Sequence, residues 1–155
     1  MQEKSKVSET LKLTGYINIK LYDSEGVLKQ EVDKQNLVVT IGKQYLASWL
    51  TAATQSTEFM SYIGLGTGMT APTIGDTNLQ TPLPTRVQGT LTTPGSTNIW
   101  QNVASFGPGV DTGAITEAGL FSTLTLGTMF ARQVFGVVNK GSGDTLVLTW
   151  MVTLN

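Results

Sequence analysis

Hydrophobic and polar residues alternate along several stretches of this chain, and such alternation predicts β-strands. Between residues 11 and 22, aliphatic side chains fall on one face and polar or tyrosine side chains on the other. The turn-forming sequence Asp23-Ser24-Glu25-Gly26 follows, and residues 27 to 32 alternate again. Because the turn joins two alternating stretches, the pattern predicts a β-hairpin.

The alternation is clearest at the end of the chain, where large apolar side chains fill every second position from Leu146 to Leu154. The opposite face carries threonines together with Val147 and Met151, so it is only half polar. A half-polar strand face is typical of a surface that something else covers. We therefore expect either a second sheet or a partner protein to cover this face.

The hydrophobic period changes to that of a helix after a short apolar strand at residues 36 to 39. Thr40 is available to cap the N-terminus of this helix. Apolar side chains then recur on one helical face, at Ile41, Tyr45, Leu46, Trp49, Leu50 and Ala53. The pattern predicts one α-helix over residues 41–53, and we expect its aromatic stripe to pack against a sheet.

Two further hairpins are predicted in the second part of the chain. One joins residues 86–92 to residues 99–106 around Pro94-Gly95-Ser96, and the other joins residues 114–121 to residues 128–135. With the strands above, they predict a mainly β fold: an antiparallel β-sandwich or jelly-roll-like domain with one α-helix.

A pair of opposite charges is predicted within the second of these hairpins. If Phe121 faces Thr128, Glu117 lies opposite Arg132 on the neighbouring strand. Opposite charges that face each other in a region poor in charge indicate a structural ion pair rather than a catalytic acid and its helper. We therefore predict that Glu117 and Arg132 stabilise the fold.

Charge is scarce in this chain and unevenly distributed. The sequence has 14% charged residues, a net charge of -1, no Cys and no His, which excludes disulfides, thiolate nucleophiles and Ser-His-Asp triads. It has no basic cluster typical of nucleic-acid binding and no apolar segment long enough for a membrane helix. Residues 59–155 hold only seven charged side chains, which fits a surface buried against another protein and equally a neutral β-domain surface.

Two features resemble chemical motifs, and neither predicts catalysis. Gly64-Leu65-Gly66-Thr67-Gly68 is similar to a dinucleotide-binding loop, but Pro72 blocks the helix that would face a phosphate. A tight corner where chain segments approach closely explains these glycines better. Four carboxylates could in principle form a glycosidase pair or a structural calcium site, but no spacing motif joins them: Asp76, Asp111, Glu117 and Asp144. We expect no cofactor, no metal and no enzymatic activity.

Several motifs together resemble a small virion structural protein of tailed double-stranded DNA bacteriophages. The resemblance covers residues 36–155, which are interpreted as the core of a single domain at residues 10–155. Residues 10–35 are interpreted as a hairpin added to this core, and residues 1–9 as a flexible N-terminal arm. The motifs are Tyr62-Ile63-Gly64-Leu65-Gly66-Thr67-Gly68, Thr70-Ala71-Pro72, Asp76-Thr77 with Leu79, Gly113-Ala114-Ile115-Thr116-Glu117-Ala118-Gly119-Leu120-Phe121, Val138-Asn139-Lys140-Gly141, Asp144-Thr145-Leu146 and Leu148-Thr149-Trp150.

The resemblance implies a capsid decoration or cement protein that binds the major capsid protein, or other virion proteins, through non-covalent contacts. Such a protein is found on the capsid exterior of the virion, and in the host cytoplasm during assembly. It carries no catalytic residue, and its copies form a homo-oligomer or lie as lattice neighbours. The arm, with Lys4, Lys6 and Glu9, is expected to contact a neighbouring molecule.

Two other functions remain open. A tail, collar or fibre component would use the same β framework to bind virion proteins or host-surface glycans. The sequence has no repeat of 20 to 50 residues, which favours decoration over a fibre. A secreted lectin or carbohydrate-active enzyme would instead bind sugars through Trp100, Tyr62 or Phe106.

Overall fold

β-strands dominate the computed structural model, which describes residues 10–51, 58–95 and 98–155. In chain order the elements are β1 (Leu13–Tyr22), β2 (Leu28–Val38), α1 (Thr40–Thr51), β3 (Tyr62–Gly66), β4 (Pro82–Gln88), β5 (Thr90–Thr92), β6 (Ile99–Phe106), β7 (Gly113–Phe121), β8 (Met129–Lys140) and β9 (Thr145–Leu154). The prediction of a mainly β, antiparallel fold with a single helix is therefore confirmed for the described residues.

The strands form one sheet in the order β4-β3-β7-β8-β2-β1-β9-β6-β5, and every pairing is antiparallel. Strand β2 is shared between the two halves of the sheet, because residues 28–36 pair with β1 while Leu37 and Val38 pair with β8. The sheet folds over itself at this strand and is nearly closed, with β4 near β6. Short β5 and the proline-containing β4 form the edges, which discourages pairing with other strands.

The core lies between the two halves and follows the predicted alternation. Ile17, Ile19 and Leu21 of β1 are buried, as are the inward-facing residues of β9: Leu146, Leu148, Trp150 and Val152. Each such side chain contributes about 1.5–3 kcal/mol when it leaves water. Because β1 lies between β2 and β9 at the centre of the sheet, the first hairpin is an integral part of the core. Strand β2 also runs across residue 35, so no structural boundary separates residues 10–35 from the rest.

The helix covers the sheet only in part. It begins at Thr40, one residue earlier than predicted, and is described as far as Thr51; predicted residues 52 and 53 lie outside the described residues. At its N-terminal end Gly42 packs directly on the backbone of Phe130, where a Cβ atom would have no room. Nearer the C-terminal end, Leu50 is exposed although the helical period placed it on the packed face.

The second predicted hairpin is only partly correct. Residues 90–92 do pair with β6, but residues 86–88 belong to β4 and pair with β3 in the other half of the sheet. The chain changes halves at Gly89, where the side chain of Asn102 leaves no room for a Cβ atom. The third hairpin forms between β7 and β8 as predicted.

The outward face of β9 is not covered by a second sheet in the described residues. Thr145, Val147, Thr149, Met151 and Thr153 are all partly exposed on the outside of the sheet. The expectation that a second sheet packs there is wrong, because the second half of the sheet packs on the opposite, fully apolar face. A partner protein on this face stays a prediction.

Candidate functional site

The structure brings the two charges predicted to pair into direct contact. Glu117 on β7 and Arg132 on β8 are both fully buried, with Nη2 of Arg132 2.8 Å and Nε 2.9 Å from Oε2 of Glu117. The predicted register is wrong, however, since Glu117 lies opposite Val134 and Arg132 opposite Gly119. Register shifts after Ile115 and after Leu120 displace the pairing, and the long arginine side chain reaches its partner diagonally.

The carboxylate of Glu117 also holds the segment between β3 and β4, here called the anchored loop (residues 67–81). Its Oε1 accepts hydrogen bonds from the backbone N–H groups of Gly68 (3.1 Å) and Thr81 (2.8 Å), at the two ends of the loop. Its Oε2 accepts another from Gln80 (3.1 Å). Five N–H donors therefore converge on one buried carboxylate, so both of its oxygens are hydrogen-bonded.

Arg132 connects the same pair to the middle of the anchored loop. Its Nη1 lies 2.8 Å from Oδ2 of Asp76, and its Nη2 donates to the carbonyl oxygen of Thr70 (3.1 Å). Asp76 accepts hydrogen bonds from the backbone N–H and the side-chain hydroxyl of Thr73. Burial alone would raise the pKa of Asp76, but the hydrogen bonds from Thr73 and Arg132 outweigh it and lower that pKa below its ordinary value.

The glycine-rich corner makes room for this network. A Cβ atom at Gly68 would lie 2.5 Å from Oε1 of Glu117, and one at Gly66 would lie 2.6 Å from both that atom and the Thr81 carbonyl oxygen. Neither position tolerates a side chain without displacing the carboxylate. The glycines thus allow close approach of chain segments, which is the interpretation favoured from the sequence.

The four carboxylates considered as a sugar-cleaving or calcium site fall into two separate groups. Asp76 and Glu117 share Arg132, whereas Asp111 and Asp144 lie near Lys140 at another place in the fold. Burial raises the pKa of Asp111, and the nearby polar groups of Thr85 and the charge of Lys140 only partly offset this. In the part of the chain that the structure describes, no group of three or more acidic side chains could hold a metal ion.

An open apolar groove lies between α1 and the sheet, with a volume of about 620 Å³. Its walls come from α1, from the ends of β1, β5, β6, β8 and β9, and from residues 58–60 before β3. Glu58 is the one charged residue among those that line it in the described ranges. The aromatic residues that line it are Tyr45, Trp49, Phe59, Trp100 and Phe130. Trp100 packs edge-on against Phe130 with ring centroids 5.6 Å apart, so part of the wall is fixed by the core.

The sequence did not indicate this groove, because the helical aromatic stripe was interpreted as core. Of the three aromatic residues named for sugar binding, only Trp100 lines the groove. Phe106 is fully buried, and Tyr62 packs against the small cluster around Val39. The three therefore form no common sugar-binding surface.

The remaining predicted residues fall outside what can be described. Lys4, Lys6 and Glu9 of the predicted contact arm lie in residues 1–9, which are not among the described residues. None of the helical residues that the structure describes form a segment with the length and hydrophobicity of a membrane span.

Comparisons with known proteins found no relative for this chain. No protein-family model matches it, and no curated protein or solved structure is significantly similar to it.

Proposed function

We propose that this protein is a virion structural protein of a tailed bacteriophage, and more specifically a capsid decoration or cement protein. It binds the major capsid protein or its neighbours on the shell through non-covalent contacts and transforms no substrate. The observation that carries a binding role is the apolar groove beside α1, because a large open apolar surface on a folded domain marks a protein contact site. The virion assignment itself comes from the motif resemblance.

A rigid scaffold supports this role. The network of Glu117, Arg132 and Asp76 ties the anchored loop to β7 and β8, so this long connection is held at both ends and in the middle. The same network argues against catalysis by Glu117, since its side chain has no exposed area and both oxygens already accept hydrogen bonds. A stiff framework loses little conformational entropy on binding, which favours assembly from many weak contacts.

The outer surface supports the same conclusion. The outward face of β9 carries threonines with Val147 and Met151, all partly exposed, and carries no charge. Interface cores are depleted in charge and enriched in residues such as methionine. The protein therefore has two low-charge surfaces, this face and the groove, that could contact the shell and neighbouring copies.

Locating the protein on intact particles tests the proposal. The chain would carry a short epitope tag after Asn155 and be supplied during phage infection, with purified particles examined by immunogold labelling and electron microscopy. We expect label over the head surface. Label only at the neck or tail would support the second candidate, a tail, collar or fibre component, and a chain that never sediments with particles would contradict both.

The N-terminal arm offers a second test of the decoration role. Removing residues 1–9 leaves the core strands intact, because β1 begins at Leu13. We expect occupancy on particles to fall while the thermal midpoint of the isolated protein stays the same. Unchanged occupancy would remove the arm from the proposal and leave the other surfaces to be tested.

A further inference from the structure

The loop that joins β7 to β8 presents two leucines to solvent. Leu124 is 53% and Leu126 is 88% exposed, and no residue from 122 to 128 is charged. These two side chains form what is here called the apolar knob. Exposed leucines in a loop of serine, threonine and glycine have no role in the core of the same molecule.

Leu126 also adopts a backbone conformation that leucine rarely takes. Its φ is 59° and that of Gly127 is 69°, so two successive residues are left-handed, as in hairpin turns that ordinarily carry Asn-Gly. A bulky residue in this region is strained, and such strain is concentrated at binding and catalytic sites. A leucine here gains nothing within the fold, which indicates that its side chain is needed outside it.

The knob is held in place by Arg86. The Nη1 atom of Arg86 donates hydrogen bonds to the carbonyl oxygens of Leu126 (2.6 Å) and Thr123 (3.1 Å). Its guanidinium carbon lies 3.4 Å from the centre of the Phe121 ring, a close cation–π contact. The loop is therefore organised before any partner arrives, which reduces the entropy lost on binding.

The loop that carries the knob adjoins the apolar groove at both of its ends. Phe130, which lines the groove, is the second residue of β8 and follows the knob loop closely in the chain. On the other side of the loop, Ser122 donates from its hydroxyl to the carboxylate of Glu58 (3.4 Å), and Glu58 also lines the groove. Both ends of the loop that carries the knob thus lie next to residues that line the groove.

We propose that two copies of the chain form a two-fold symmetric dimer in which the apolar knob of each enters the apolar groove of the other. Adjacent complementary features are what a self-complementary, two-fold contact requires, because each copy then supplies both halves of the interaction. The groove volume of about 620 Å³ lies within the range of pockets that enclose small ligands, which is ample for two leucine side chains. The knob carries no charge, and Glu58 is the one charged residue in the described lining of the groove, so few charges leave water on contact.

The second copy fits better than the chain's own N-terminal arm. Residues 1–9 contain four charged side chains and only Met1 and Val7 as apolar ones, a poor match for an aromatic groove. The dimer deepens the proposed function, because it names a second copy of the chain as one partner. It rests on that function only for the idea that copies meet on a shell. Self-association of the purified chain can be measured whether or not particles bind it.

Sedimentation velocity of the full chain between 1 µM and 1 mM tests the dimer. We expect the wild type to dimerise within this range. Leu126→Lys, which alters the knob, and Leu91→Glu, which alters the groove wall, should each weaken self-association at least tenfold, since burial of one leucine is worth about that much. Val137→Lys is the matched control, because Val137 (43% exposed) resembles Leu91 (39%) in exposure but does not line the groove. The Val137→Lys variant should therefore dimerise as the wild type does.

Mixing the two defective variants gives the sharpest result. In the mixed dimer, the intact knob of the Leu91→Glu chain meets the intact groove of the Leu126→Lys chain, and the altered pair brings a lysine to a glutamate. Mixing should therefore restore dimers that neither variant forms alone. Leu126→Asn separates contact from folding, because it should raise the thermal midpoint by relieving strain while weakening the dimer.

Several outcomes overturn the dimer. A wild type that stays monomeric at 1 mM contradicts it, as does a dimer unaffected by Leu126→Lys. Loss of the dimer on deletion of residues 1–9, with Leu126→Lys unaffected, would make the arm the occupant of the groove. Variants that dimerise normally yet fail to bind particles would place the groove against a different virion protein and leave the proposed function standing.

Discussion

Replacing Glu117 by glutamine removes one negative charge from the centre of the buried network and keeps the shape of the side chain. In the wild type, Oε1 accepts two backbone N–H groups and Oε2 accepts one more together with two from Arg132. A glutamine has only one oxygen. Whichever way its amide turns, the NH₂ group faces N–H donors, and Arg132 is left with Asp76 as its one carboxylate partner among the described residues.

The magnitude follows from these contacts. Removing one partner of a buried ion pair costs about 3–5 kcal/mol, because the other charge stays out of water. Losing the carboxylate also weakens the hydrogen bonds from the backbone N–H groups of Gln80 and Thr81. This adds less to the loss of unfolding free energy than it would for fully buried groups, since both residues are exposed and water can replace the carboxylate. We expect the free energy of unfolding to fall by about 4 kcal/mol, a large part of the about 5–15 kcal/mol typical of a domain.

Urea denaturation, followed by tryptophan fluorescence and far-UV circular dichroism, measures this loss. With a slope of about 2 kcal/mol per molar urea, the midpoint should fall by about 2 M. Glu31→Gln is the matched control, because Glu31 lies 3.5 Å from Lys20 on the surface, with both side chains about 40% exposed, and should change the midpoint little. If both variants lose the same small amount, the network does not hold the anchored loop and the reasoning fails.

Three further predictions follow from the same structure. Gly68→Ala should cost about 1–3 kcal/mol because its Cβ atom would lie 2.5 Å from Oε1 of Glu117, whereas Gly136→Ala, with nothing within 4 Å, should leave the thermal midpoint almost unchanged. The folded state lowers the pKa of Asp76, so the ionised carboxylate stabilises the fold fully above its ordinary pKa of about 3.9, and this stabilisation is lost as pH falls further. The difference in unfolding free energy between the wild type and Asp76→Asn should therefore shrink between pH 5 and pH 2. A constant difference would refute this. Leu126→Asn should gain about 1 kcal/mol in a urea titration, and a loss would show that the positive φ carries no strain.

The candidate ion pair could be predicted in part. Seven charges among residues 59–155 make pairing between Glu117 and Arg132 a reasonable expectation, since a charge in an apolar environment requires a partner. The pairing of Asp76 with Arg132 was missed, although Asp76 is one of those seven charges and so was itself a candidate partner. The register was also missed, because the shifts within β7 depend on how the whole hairpin packs and leave no mark on the local pattern.

Strand positions, by contrast, were visible in the sequence. The alternation in β1 and β9 is a local property, because side chains on a strand point to opposite faces with a period of two, and the same residues prove to be buried. The helical period after Thr40 was equally local. It identified the helix but not how much of its apolar face would be covered.

The amino-acid sequence by itself determined where β1, β9 and the helix lie, and which faces of the two strands avoid water, because those properties depend on neighbouring residues alone. Only the tertiary structure decided that β2 joins the two halves of the sheet, that a buried carboxylate gathers five donors, and that a groove stays open beside the helix. Those features depend on contacts between residues far apart in the chain, and the periodicity of a single segment carries no information about what will lie against it.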